Sequence, residues 1–118
     1  MRYAILSAAL SLALAGSAVA QEAGDGKNRR VVIENISSQA VQNLYASPIT
    51  STTWEEDLLG SGTIPSGTSK RANIDNGTTE CVYDLKAVMT DGKEHVRRKV
   101  NVCATSRWVI GDSGDSIS

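Results

Sequence analysis

Two strand-like runs, 81–90 and 93–103, flank Asp91-Gly92 and are bracketed by the chain's two cysteines. This arrangement constrains the fold more than any other feature. Asp-Gly between runs of alternating hydrophobicity is a strong signal for a two-residue type I′ hairpin turn. In that register Met89 faces Glu94, Ala87 faces Val96, Leu85 faces Arg98, Tyr83 faces Val100 and Cys81 faces Val102, a largely apolar face. The other face pairs Val88 with His95, Lys86 with Arg97, Asp84 with Lys99 and Val82 with Asn101. A slip of one residue would turn Asn101, Lys99 and Arg97 into the core, so this register is expected to be well determined. In an unbroken ladder Cys103 points away from Cys81. A disulfide needs convergent Cβ vectors and Cα atoms within about 7 Å, so the ladder is expected to bulge or end near Val102.

The compartment follows from the N-terminus. Arg2, the apolar run Ala4–Ala15 and the small-x-small triplet Ala18-Val19-Ala20 read as a secretory signal cleaved after Ala20. Gly16 and Ser17 interrupt the run well short of the roughly 20 residues a membrane span requires. The expected location is periplasmic or secreted, with no membrane span. Cleavage leaves 98 of the 118 residues, enough for one domain. These keep 11 basic and 13 acidic side chains, a formal charge of −2, which argues against a nucleic-acid partner. Two cysteines in an oxidising compartment pair by default, and so small a domain gains from the staple.

Along the mature chain, 21–29 is polar and glycine-bearing and reads as a flexible lead-in. β-Branched 30–36 and interleaved 40–46 read as strands separated by Ser37-Ser38-Gln39. After a Ser/Thr-rich loop, Trp54, Leu58 and Leu59 suit one helical turn capped by Thr53 and Glu56 and ended by Gly60. Residues 68–74 and 107–110 complete the strands of the 30–110 domain, and the polar stretch 111–118 reads as a mobile tail. The pattern defines an all-β fold: a small antiparallel β-sandwich of six or seven short strands, one short helical turn and one disulfide.

The ordered pieces Leu44-Tyr45-Ala46-Ser47-Pro48, Trp54 to Gly60, Cys81-Val82-Tyr83-Asp84-Leu85, Asp91-Gly92 and Val102-Cys103 resemble a group of small exported proteobacterial β-domain proteins of unknown function. The resemblance covers nearly all of the mature chain. It implies a secreted β domain with a Cys81–Cys103 bridge and carries no activity or site residues.

No catalytic, cofactor-binding or metal-ligating set emerges. Gly111-Asp112-Ser113-Gly114 copies the tetrapeptide around a serine-protease nucleophile, but the single histidine, His95, lies on a strand's polar face and no chain remains to build a pocket. A lone histidine and two bridged cysteines do not make a zinc site. Glu55, Glu56 and Asp57, with Asp75-Asn76 or Asp112 and Asp115, lack the spacing of a calcium loop. Lys86 and Arg97, with His95 at the end, form a small positive patch that ordinary surface charge also explains. Trp54, Trp108, Tyr45 and Tyr83 supply an aromatic core if buried and a sugar-stacking surface if exposed; for so small a domain the core is expected. The candidate binding surface is therefore Lys86, His95, Arg97 and Trp54. The expected function is a non-enzymatic exported binding module with a protein or glycan partner and no cofactor. A periplasmic inhibitor or small enzyme, and a structural envelope protein, are the alternatives.

Overall fold

The computed structural model describes residues 23–118, so the signal segment 1–20, Gln21 and Glu22 lie outside the described residues. Seven strands form: β1 (Arg30–Asn35), β2 (Val41–Pro48), β3 (Ser69–Asn73), β4 (Val82–Met89), β5 (Glu94–Asn101), β6 (Arg107–Gly111) and β7 (Gly114–Ile117). They make two sheets, β3-β1-β6-β7 and β2-β4-β5. Apolar residues alternate along the strands and meet in one core. Val31, Ile33, Ala72, Trp108 and Ile110 come from the first sheet, and Leu44, Ala46, Tyr83, Leu85, Ala87 and Met89 from the second. The expected all-β class is thus realised. One pairing departs from antiparallel: β1 runs parallel to β6, with Val32 beside Arg107 and Asn35 beside Ile110. Parallel neighbours need a long connection; here the intervening chain passes through the other sheet.

The hairpin corrects the expected register. Met89 N–H donates to the Lys93 carbonyl at 2.8 Å, enclosing a three-residue loop, Thr90-Asp91-Gly92, in which Gly92 takes φ 89°. This is the turn-plus-αL-glycine loop rather than type I′. In the turn-proximal half, Ala87 therefore pairs with His95 and Leu85 with Arg97. The expected register returns at Tyr83–Val100 because Arg98 and Lys99 together oppose Asp84, a β-bulge. Lys99 has φ 55°, and its N–H, displaced from the ladder, donates to the Asp84 carboxylate at 2.9 Å. Without the bulge, continued alternation from His95 and Arg97 would aim Lys99 inward instead of Val100.

The expected helical turn at 53–59 is absent. Asp57 Oδ1 accepts the N–H groups of Leu44 and Leu59 at 2.9 and 3.0 Å, and Leu58 N–H donates to the Leu44 carbonyl. The segment is held sideways to β2 by the Leu58 N–H and the Asp57 carboxylate, an extended docking that takes the place of a helical turn. The expected tail is also ordered from Gly114, because β7 pairs antiparallel with β6 from Gly111–Gly114 to Trp108–Ile117.

Polar ties seal the sandwich. Asp115 on β7 accepts a hydrogen bond from Trp108 Nε1 at 2.7 Å and another from Arg97 Nε on β5, and His95 Nδ1 lies 3.6 Å from its second oxygen. This joins the two sheets at one end. Buried Asn35 donates to the carbonyls of Gln39 and Ile64 and accepts from Ser37, closing the β1–β2 corner. The segment before β1, expected to be flexible, is docked from Ala23 onward. Arg29 is fully buried, binds both oxygens of Asp25 at 3.0 and 2.7 Å and donates to the Glu80 carbonyl at 2.8 Å. The Arg29 hydrogen bond holds the Asp25 carboxyl well below the usual carboxylate range.

The expected bridge is present, with the Cα atoms of Cys81 and Cys103 5.4 Å apart. The ladder ends at Asn101, where expected, and residues 102–104 turn. Val102 N–H still reaches the Cys81 carbonyl, while Cys103 N–H donates to Asn101 Oδ1 and the sulfur swings round. Titration of the denatured, unreduced protein should find no free thiol. Reduction should remove about 3 kcal/mol, the loop-closure value for a 22-residue separation, and lower the unfolding midpoint accordingly.

Burial alone would raise the Asp115 carboxyl, but the Arg97 and Trp108 hydrogen bonds outweigh it and hold the group below its ordinary value. Its stabilisation is therefore complete above the unfolded-state pKa, roughly 4, and is lost as pH falls through the lower folded-state value. Asp115→Asn should cost about 1–3 kcal/mol at pH 7 and flatten the loss of stability on the acid side. Denaturant unfolding across pH 2–7 on both proteins checks this; parallel acid limbs would rule out Asp115 as the titrating tie.

Candidate functional site

Alternation along β2 and β4 leaves a second face on the β2-β4-β5 sheet, directed away from the core. Leu44 and Ala46 point inward, so Tyr45 points out; Leu85 and Ala87 point inward, so Asp84 and Lys86 point out. Tyr45 and Lys86 are register partners, and Val96 is the partner of Lys86 on the other side. Because of the three-residue loop, Val96 faces out and is 39% exposed, and Arg98, the first residue of the bulge, joins the same face.

Trp54 reaches this face from the loop after β2. Two ties fix the loop: Ser47 Oγ donates to the Thr53 carbonyl at 2.8 Å, and Asp57 anchors to Leu44 and to Asn43 Nδ2. Burial alone would raise the Asp57 carboxyl, but backbone hydrogen bonds from Leu44 and Leu59 more than offset it and keep the group ionised. With no helical turn to carry it inward, Trp54 is half-buried on the outer face and not in the core, which corrects the expectation. Its ring centroid lies 6.5 Å from that of Tyr45, with the planes tilted by 46°. The Lys86 ammonium lies 4.9 Å from the Trp54 centroid and 5.3 Å from that of Tyr45, and the Arg98 guanidinium is 5.6 Å from Trp54. Contacts of this geometry are cation–π interactions. Arg98 also pairs with Asp84 at 3.1 Å. Beside Trp54 lies a depression of about 70 Å³ lined by Ser47, Ser51, Thr52, Thr53, Asp84 and Arg98.

Of the four sequence-derived candidates, only Lys86 and Trp54 come together. His95 turns inward opposite Ala87 and is 6% exposed. Arg97 shares that side of β5 and is committed to Asp115, so the patch Lys86–His95–Arg97 does not form. Tyr45, which the sequence marks only as a stacking ring if exposed, joins Lys86 and Trp54, together with Asp84 and Arg98, which no sequence signal marks as site residues. Alternation in Ala40–Ala46 already places Tyr45 opposite to Leu44, whereas Arg98 on this face depends on the three-residue hairpin loop, which reverses the facing that the two-residue turn implies.

The remaining acids are engaged or scattered. A wider groove of about 500 Å³ has Ala46, Leu58 and Ile74 on its floor and Glu55, Glu56 and Asp75 on its rim. Asp112 accepts the backbone N–H and hydroxyl of Ser38, which lower its carboxyl pKa, so Gly111–Gly114 is the turn joining β6 to β7. Among the described residues no three His, Cys, Asp or Glu side chains cluster as metal ligands, and no helix is long and apolar enough to cross a membrane.

Comparison with protein-family models, curated proteins and solved structures yields no match.

The two tryptophans should behave differently. Trp108 is fully buried and bonded through its indole N–H, whereas Trp54 is reachable from solvent. Trp108→Ala should cost about 3–5 kcal/mol, and Trp54→Ala about 1 kcal/mol or less, nearer to surface substitutions. Iodide quenching should act on the emission that Trp54→Phe removes. Equal losses of stability would return Trp54 to the core.

Proposed function

We propose that this chain is an exported, non-enzymatic β-sandwich binding module whose recognition surface is the outer face of the β2-β4-β5 sheet. The observation that carries the reading is Lys86. Lys86 is half-buried, its ammonium lies against the rings of Tyr45 and Trp54, and among the described residues it has no anionic partner. A cation held in place without a counter-charge favours a ligand that brings one. The fixed loop supports the same reading, since two ties hold Trp54 in place before any ligand arrives, and preorganisation lowers the cost of binding. Asp57, Asp112 and Asp115 are committed to structural bonds, which supports a binding role over acid–base chemistry. The disulfide supports export to an oxidising compartment.

The test is retention. Tagged mature protein, residues 21–118, should retain one defined protein or glycan component from periplasmic extract, and the folded double variant Trp54→Ala/Lys86→Gln should release it. Retention unchanged by the double variant, or no retained component at all, would sink the assignment of this face.

A further inference from the structure

The chemistry of this face narrows the ligand. Four side chains present donors: the Lys86 ammonium, the Trp54 indole N–H, the Tyr45 hydroxyl and the Arg98 guanidinium. Among the described residues only Arg98 has a hydrogen-bonded partner, Asp84, and that bond uses a single nitrogen. The acids on this side of the sheet are Asp84, whose oxygens are taken by Arg98 and by the Lys99 N–H, and Glu94 at the turn end of β5, opposite Val88. The face is therefore rich in donors, and neither carboxylate forms an ion pair with Lys86. Its apolar component is two tilted rings, 6.5 Å between centroids, beside a depression lined by hydroxyl-bearing side chains.

Resting on the binding-module reading, we propose that this face is a subsite for an anionic saccharide unit. Its acidic group would sit on Lys86 and Arg98, its C–H groups against the parts of Trp54 and Tyr45 that these two cations leave uncovered, and one hydroxyl in the depression beside Ser47 and Thr53. Each component of such a ligand meets a matching element. A carboxylate or sulfate accepts charge-assisted hydrogen bonds from the two cations. An aromatic ring supplies a large apolar contact with few rotatable bonds to fix. A neutral sugar leaves Lys86 without a counter-charge, and a bare inorganic anion leaves the rings unused. An extended acidic peptide would add to a sheet edge, but Lys86 and Asp84 lie on β4, the central strand of this sheet. The depression, about 70 Å³, accommodates a substituent rather than a whole ring, so recognition lies across an open face and suits one unit of a chain.

The experiment titrates the mature protein with trigalacturonate, its fully methyl-esterified neutral form, a heparin-derived hexasaccharide and hexaglutamate. Calorimetry is the readout, with Trp54 fluorescence in parallel because Trp108 is sealed from solvent. At least one acidic saccharide should bind saturably, the uronate through its carboxylates and the heparin fragment through its sulfates. Lys86→Gln and Trp54→Ala should each weaken that binding by about tenfold or more, the scale of one charge-assisted hydrogen bond. Lys86→Arg should restore part of it, and methyl esterification should abolish the uronate response. Both sites are on the outer face, and an unchanged disulfide and near-UV spectrum establish that the variants are folded. Acidic-saccharide binding that Lys86→Gln leaves within about twofold overturns the subsite. Lys86-dependent binding of hexaglutamate alone overturns the saccharide but keeps the face as a binding surface. No binding of any probe overturns the subsite, and the retention experiment then decides whether the face itself falls.

Discussion

The hydrogen bond from the Lys99 N–H to the Asp84 carboxylate is the interaction on which the rest of the structure turns. A three-residue hairpin loop sends His95 and Arg97 to the inner side of β5. Continued without interruption, that alternation would place Lys99 and Asn101 inside and Val100 outside. The bulge at Arg98–Lys99 inserts one residue and restores Val100 opposite Tyr83. A bulge leaves a backbone donor without its ladder acceptor, and at this exposed position a protein acceptor contributes a net of about 0.5–1.5 kcal/mol. Asp84 supplies the acceptor, and its second oxygen fixes Arg98 on the outer face. One carboxylate thereby connects the register of the hairpin to the layout of the candidate site.

Both halves of β5 gain from this arrangement. The turn-proximal half gives its inward polar residues, His95 and Arg97, to Asp115 on the other sheet, so the side chains least suited to a core become the link between sheets. The distal half gives Val100 to the core and ends at Asn101, allowing Cys103 to reach Cys81. Arg29 sits beside this bridge, its Nη2 3.8 Å from the Cys81 sulfur, and brings residues 23–29 against the body of the domain. A domain below about 100 residues has a thin apolar core. Satisfied polar ties at Asn35, Arg29 and Asp115, together with the bridge, supplement it, and each leaves few unpaired groups behind.

The outer face is a by-product of the same constraints. Period-2 alternation that buries Leu44, Ala46, Leu85 and Ala87 necessarily exposes Tyr45 and Lys86 side by side. Trp54 completes the group only because Asp57 fastens its loop to β2 and leaves the ring no route inward. The cost of ordering this loop has been met in folding, so a ligand finds the aromatic pair already placed.

The amino-acid sequence alone determined the all-β class, the strand positions before residue 111, the pairing of Tyr83 with Val100, the disulfide and the irregular end of the ladder at Val102. Each of these follows from local information: alternation over a few residues, β-branched runs, turn residues and the parity that separates Cys81 from Cys103. Tertiary structure decided the hairpin loop length, the bulge, the loss of the helical turn, the docking of 23–29 and the pairing of β7. It thereby decided which of Lys86, His95, Arg97 and Trp54 share a surface. The physical reason is common to these cases. Asp84 with Lys99, Asp57 with Leu44, Arg29 with Glu80 and Arg97 with Asp115 are bonds between groups separated by 13 to 51 positions. A residue's periodicity states which way it prefers to face, but a backbone group satisfied by a distant side chain can override that preference, and only the folded chain brings the two together.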